Sequence, residues 1–131
     1  MLIVICAILL QTAIPEEITF ISQTRGGRQV VTIHKDNISI ENNGLQQSLP
    51  LTLSDWDNLT KTIQELDYKE IPAYAAPSSA RSRDAAWHST LSISAGGYTY
   101  TSSTFDDSKA PKELMKLMTC ITRLRNKYSK D

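Results

Sequence analysis

Two histidines and a scatter of serines and carboxylates are the residues of this 131-residue chain whose types could do chemistry. Ser78, Ser79, Asp84 and His88 are the ingredients of a small hydrolase, in which a base takes the serine proton and an acid orients the base. No G-x-S-x-G elbow surrounds the serines, however, and no glycine-rich oxyanion segment lies nearby. The pairs Gly26-Gly27 and Gly96-Gly97 stand outside any G-x-G-x-x-G or phosphate-loop pattern. A metal centre needs several His, Cys or carboxylate side chains converging on one point. His34 and His88 both fall on the polar side of predicted strands, with Asp106 or Asp107 within possible reach, but in no ligand spacing. The reading therefore assigns no catalytic residue, no metal and no cofactor, and keeps a small hydrolase as an alternative.

Residues 72–86, PAYAAPSSARSRDAA, carry the strongest hint of a site because they follow neither a helical nor a strand period. Irregular segments of that length inside a compact domain are uncommon and tend to be functional or disordered. Pro72 and Pro77 stiffen the segment and Tyr74 can anchor it. Arg81, Arg83 and Asp84 offer charged contacts, since an arginine grips a carboxylate through two parallel hydrogen bonds. Tyr74, Arg81, Arg83, Asp84 and His88 together make a candidate binding edge for a protein, peptide or small ligand. The competing reading is a plain connector whose charges pair among themselves or with helix ends.

The elements that must position this segment are well marked. Ile18, Phe20 and Ser22 alternate with Thr19, Ile21 and Gln23, the period of a strand. Gly26-Gly27 is expected to supply the positive φ of a tight hairpin into a second strand around Val31 and Ile33. Ile38 and Ile40 mark a third strand, Asn43-Gly44 a second hairpin, and Leu45–Leu51 a fourth strand. Ser54-Asp55-Trp56-Asp57 predicts a capped helix start, with Trp56, Leu59, Ile63 and Leu66 on one face. Beyond the irregular segment, Trp87, Ser89, Leu91 and Ile93 alternate with His88, Thr90, Ser92 and Ser94. A turn at Ala95-Gly96-Gly97 then returns a sixth strand over Tyr98–Phe105. Pro111 suits the first position of a last helix, whose stripe is Leu114, Leu117, Met118, Ile121 and Leu124. Cys120 sits in that apolar pattern, where a thiol behaves as a small hydrophobe. The basic end of the helix, TRLRNKYSK, complements the helix dipole. The expected fold is α+β: a roughly six-stranded antiparallel sheet, order β-β-β-β-α-β-β-α, with both helices on one face and a solvated Ser/Thr-rich face opposite.

Length and charge bound the rest. The chain has room for one domain, and its 14 basic and 14 acidic residues cancel. With no net field to collect phosphates, no nucleic-acid partner is expected. The apolar run Leu2–Leu10 fits the core of a secretory leader or membrane anchor over residues 1–14, ahead of a single domain at 15–131. No basic residue precedes the run, and Gln11 stands where a cleavage site wants a small residue, so a buried N-terminal strand is the alternative. If the leader is removed, Cys120 is the one cysteine left and no internal disulfide can form. Membrane contact is expected only through that anchor.

The GGRQVVTI hairpin, the LSDWDNL helix start, the APSSARSRDAAWHSTLSI passage and the YTSSTFDDSKAPKEL approach to the last helix resemble small exported proteins of the Bacteroidota type. The likeness runs from Ile18 to Leu124 and implies the same fold and export, with no activity to carry over. The resulting expectation is a non-catalytic extracytoplasmic domain of the periplasm or cell envelope, binding through the 72–86 loop. An inhibitor or immunity-type protein that blocks a partner enzyme is the alternative beside the hydrolase.

Overall fold

Alternation of period two builds most of the molecule. The computed structural model describes residues 14–75, 87–106 and 109–129. Among these residues seven strands form one antiparallel sheet: β1 (Pro15–Thr24), β2 (Gly27–His34), β3 (Asn37–Asn42), β4 (Leu45–Pro50), β5 (His88–Ala95), β6 (Tyr98–Thr101) and β7 (Phe105–Asp106). Their spatial order is β4-β3-β2-β1-β5-β6, with β7 also paired to β5. The expected α+β architecture holds, with seven strands in place of about six. The leader expected over residues 1–14 falls almost wholly outside the described residues.

Two helices cover one face of the sheet, α1 (Leu53–Gln64) and α2 (Met115–Tyr128). Ile18, Phe20, Val31, Ile33, Leu91 and Ile93 point into a single core with Trp56, Leu59, Ile63, Leu117, Ile121 and Leu124. Cys120 is buried there as a small apolar group, and burial pushes its thiol pKa up. On the opposite face the registers line up one hydroxyl per strand: Ser48, Ser39, Thr32, Thr19, Ser92 and Thr101. Cross-strand hydroxyl pairs such as Ser92–Thr101 and Ser94–Thr99, both 2.9 Å, stabilise that solvated face.

Four expectations about local structure need correction. Positive φ occurs at Asn43, Gly44, Gly96 and Gly97, the pattern of tight two-residue hairpins, and not at Gly26 or Gly27. Gly27 instead lies under an indole: a Cβ there would stand 3.0 Å from Trp87 Cη2. The single strand expected over Tyr98–Phe105 is broken, because Ser102 replaces a ladder residue with its own side chain. Its N–H donates to Leu91 O at 2.8 Å and its hydroxyl accepts from Leu91 N at 2.9 Å, so the chain steps out before rejoining β5 as β7. Pro111 precedes a 3-10 turn, Lys112–Leu114, and not α2 itself. The fourth correction is the cap of α1.

Thr52, and not Ser54, caps α1: it is extended at φ −71° and ψ 150°, and its Oγ1 accepts from Asp55 N at 3.2 Å. Thr52-x-x-Asp55 and Ser54-x-x-Asp57 have the same spacing, so the helix start is decided by what Asp55 can reach. Thr52→Ala should lower stability by about 1 kcal/mol and Ser54→Ala by well under half of that, read from urea denaturation midpoints. Equal costs would contradict this cap.

The 72–86 segment begins as structure. Tyr68–Ala73 forms a 3-10 helix containing Pro72, with Tyr68 and Ile71 buried and the Tyr68 ring edge-on to Tyr100 at 5.6 Å.

Candidate functional site

The residues from Trp87 onward lead into a groove at one end of the helix-covered face. The β1–β2 hairpin brings Ser22 and Gln29, the β3–β4 turn brings Asn42 and Asn43, and the end of α2 brings Arg125, Asn126 and Ser129. Trp87 and Arg28 complete the lining of a recess of about 400 Å³. Local rules explain each position. Ser22 and Gln29 are register partners on the core-facing side of β1 and β2, at the end where the apolar residues run out. Arg125 follows Leu124 on α2 and is half-buried. Trp87 keeps the inward parity of Ser89 and Leu91, but it lies one step before β5, so 41% of it stays exposed.

A hydrogen-bond chain orders the floor of the groove. Arg125 Nη1 donates to Gln29 Oε1 at 3.0 Å, and Gln29 Nε2 donates to Asn42 Oδ1 at 2.6 Å. The Arg28 backbone N–H donates to Asn43 Oδ1 at 2.8 Å, while its guanidinium lies 3.6 Å from Glu41. Among the described residues no acidic side chain lines the recess, and Arg125 has no carboxylate partner. The groove thus presents one uncompensated guanidinium, an open aromatic face, and several amides and hydroxyls that both donate and accept.

The sequence-derived binding edge is only partly inside the described residues. Arg81, Arg83 and Asp84 lie outside them, as do Ser78, Ser79 and Asp107. Tyr74 is an internal anchor: its hydroxyl donates to Asp67 O at 3.0 Å and its carbonyl accepts from Ser103 Oγ at 3.0 Å. Burial, then the negative charges of Asp67, Glu113 and Glu70, push its phenol pKa up. His88 is half-buried on the outer side of β5, with Nε2 3.2 Å from Gln23 Nε2. Its Nδ1 is buried without a hydrogen-bond partner, as is Thr24 Oγ1 nearby at the same end of the sheet. No hydrogen bond or ion pair joins Tyr74 to His88 among the described residues. Asp106 is buried and pairs with His88 in strand register.

The two histidines do not meet. His34 Nε2 lies 3.2 Å from Glu17 Oε2, whereas His88 lies beside Gln23. Glu17 and Gln23 are at opposite ends of β1, roughly 20 Å apart at the usual rise per strand residue. Among the described residues no three His, Cys, Asp or Glu side chains gather to hold a metal ion.

Sequence reasoning missed Arg125, Gln29, Asn42 and Asn43. The basic end of α2 read as dipole complementarity, which suits Lys127 but not a half-buried Arg125. The available signal was Arg125 beside Leu124, next to the buried stripe. Two other recesses are more apolar: one of about 480 Å³ along α2 at Met115 and Met118, and one of about 560 Å³ between β1 and α1 at Ile14 and Leu53.

Neither a protein-family model nor a curated protein matches this chain.

Proposed function

We propose that this chain is a non-catalytic extracytoplasmic binding domain, and that it binds at the Trp87 groove, where the 72–86 segment enters β5. The observation that carries this reading is Arg125, a half-buried guanidinium facing a recess that no acid lines among the described residues, beside an exposed indole. Recesses with a few convergent polar groups and an aromatic wall are the usual form of small-ligand sites. The hydrolase alternative draws no support from His88, whose side chain meets the Gln23 amide and, among the described residues, no acid or hydroxyl within hydrogen-bond reach. The extracytoplasmic part of the proposal rests on the apolar run Leu2–Leu10. Among the described residues no helix is long and apolar enough to cross a membrane.

A panel of immobilised glycans and short peptides, probed with wild-type protein and with Trp87→Ala/Arg125→Gln, tests the reading. Retention by the wild type, reduced at least about tenfold in the double variant at an unchanged melting temperature, is the expected result. Retention indifferent to both substitutions would overturn it. So would ester turnover that disappears in His88→Ala.

A further inference from the structure

We infer that the Trp87 groove takes a carboxylated saccharide, with the carboxylate on Arg125 and a ring face on the indole. This rests on the groove being the binding site proposed above. Arg125 uses one of its five N–H donors on Gln29 Oε1, and that bond fixes the plane of the guanidinium. The Gln29 amide is itself held by Asn42, so the support is rigid before a ligand arrives. The remaining donors match the two oxygens of a carboxylate. Arg28 is less suited to that role, because its guanidinium lies 3.6 Å from the Glu41 carboxylate.

The remaining surface decides between kinds of acid. Among the described residues, Trp87 is the one apolar side chain that lines the recess. A peptide ending in a free carboxylate would need pockets for its side chains, and the groove has none of that character. Asn43, Asn126 and Ser129 are neutral groups that donate and accept, the complement of sugar hydroxyls, which do the same. An exposed indole offers a flat apolar platform with an electron-rich face, suited to the C–H side of a pyranose. A recess of about 400 Å³ is of the size that holds a mono- or disaccharide.

Trp87 is the exposed tryptophan and Trp56 the buried one, so indole fluorescence reports on the groove. Full-length protein would be titrated with disaccharides of glucuronate, galacturonate and mannuronate, with their neutral counterparts, and with a tetrapeptide acid. At least one uronate should change the emission and bind about tenfold or more tighter than its neutral counterpart. Arg125→Gln should remove that preference. Gln29→Glu should remove it too, because it sets a carboxylate beside the guanidinium from within the chain, and it is expected to keep the fold. Trp87→Ala, followed by calorimetry, should weaken acidic and neutral sugars alike. Equal affinity for neutral and acidic sugars, or no sugar binding at millimolar concentration, overturns the inference. Binding of the tetrapeptide acid alone, lost in Arg125→Gln, would also overturn it while leaving the broader binding-domain reading standing.

Discussion

Phe105→Ala is expected to destabilise the domain by about 3–5 kcal/mol, the range for removing a fully enclosed aromatic ring. Phe105 is 0% exposed and is among the largest fully buried side chains, although its strand has only two residues. The ring is therefore the main tether of β7 to the sheet, since the pairing itself involves only His88↔Asp106 and Ser89↔Phe105. Domains of this size have total stabilities of about 5–15 kcal/mol, so the loss is a large fraction. The melting temperature should fall by roughly 10–20 °C. Tyr98→Ala is the control: 69% of that side chain is exposed on β6, and its replacement should cost less than about 1 kcal/mol. Urea titrations of both variants, with slopes matching wild type, check the pair. A Phe105→Ala cost below about 1 kcal/mol would show that the ring is not enclosed as described.

Asp55→Ala should be the next most damaging change, at about 2 kcal/mol, because it removes charge-assisted hydrogen bonds from a half-buried acceptor. Asp55 Oδ2 accepts from Tyr128 Oη at 2.6 Å and from Lys127 Nζ at 2.7 Å, and the Asp55 side chain is only 16% exposed. The Thr52 backbone N–H donates to the same Tyr128 hydroxyl at 3.2 Å, so the start of α1 and the end of α2 share one clasp. The bonds from Lys127 and then Tyr128 hold the Asp55 carboxyl below its ordinary value of 3.8. Its contribution is thus present above the unfolded-state pKa and is lost as pH falls through the lower folded-state pKa. Lys127 moves the other way: its bond to Asp55 raises its pKa, so its share is intact below the unfolded value and lost as pH rises through the folded one. Wild type should lose its advantage over Asp55→Ala on acidification below about pH 4, measured by urea midpoints at successive pH values. A double-mutant cycle with Tyr128→Phe should show coupling of about 1 kcal/mol. A constant difference between wild type and Asp55→Ala down to pH 2 would contradict the clasp.

The clasp also shows where local reading stops. The sequence by itself reads with Ser54 as the cap; Thr52 has the same spacing to an acid, and it is chosen where Asp55 also meets Tyr128, 73 residues beyond Asp55. The break between β6 and β7 was hidden for a related reason. Ser102 is unremarkable in a Ser/Thr-rich strand until Leu91 is placed beside it to receive and donate two hydrogen bonds.

Strand and helix identity, the inward and outward faces, and the α+β class were determined by the sequence alone, because side-chain parity in a strand and the apolar stripe of a helix are local properties. The same locality placed Trp87 on the inward side of its strand. The groove was decided by tertiary structure. It gathers residues from Ser22 to Ser129 at one corner, and requires β1 to lie between β2 and β5 with α2 ending above them. No period in a sequence encodes that meeting, since it depends on pairing between distant strands and on where a helix stops. For the same reason the basic end of α2 reads as solvent-facing charge until folding turns Arg125 inward, onto Gln29.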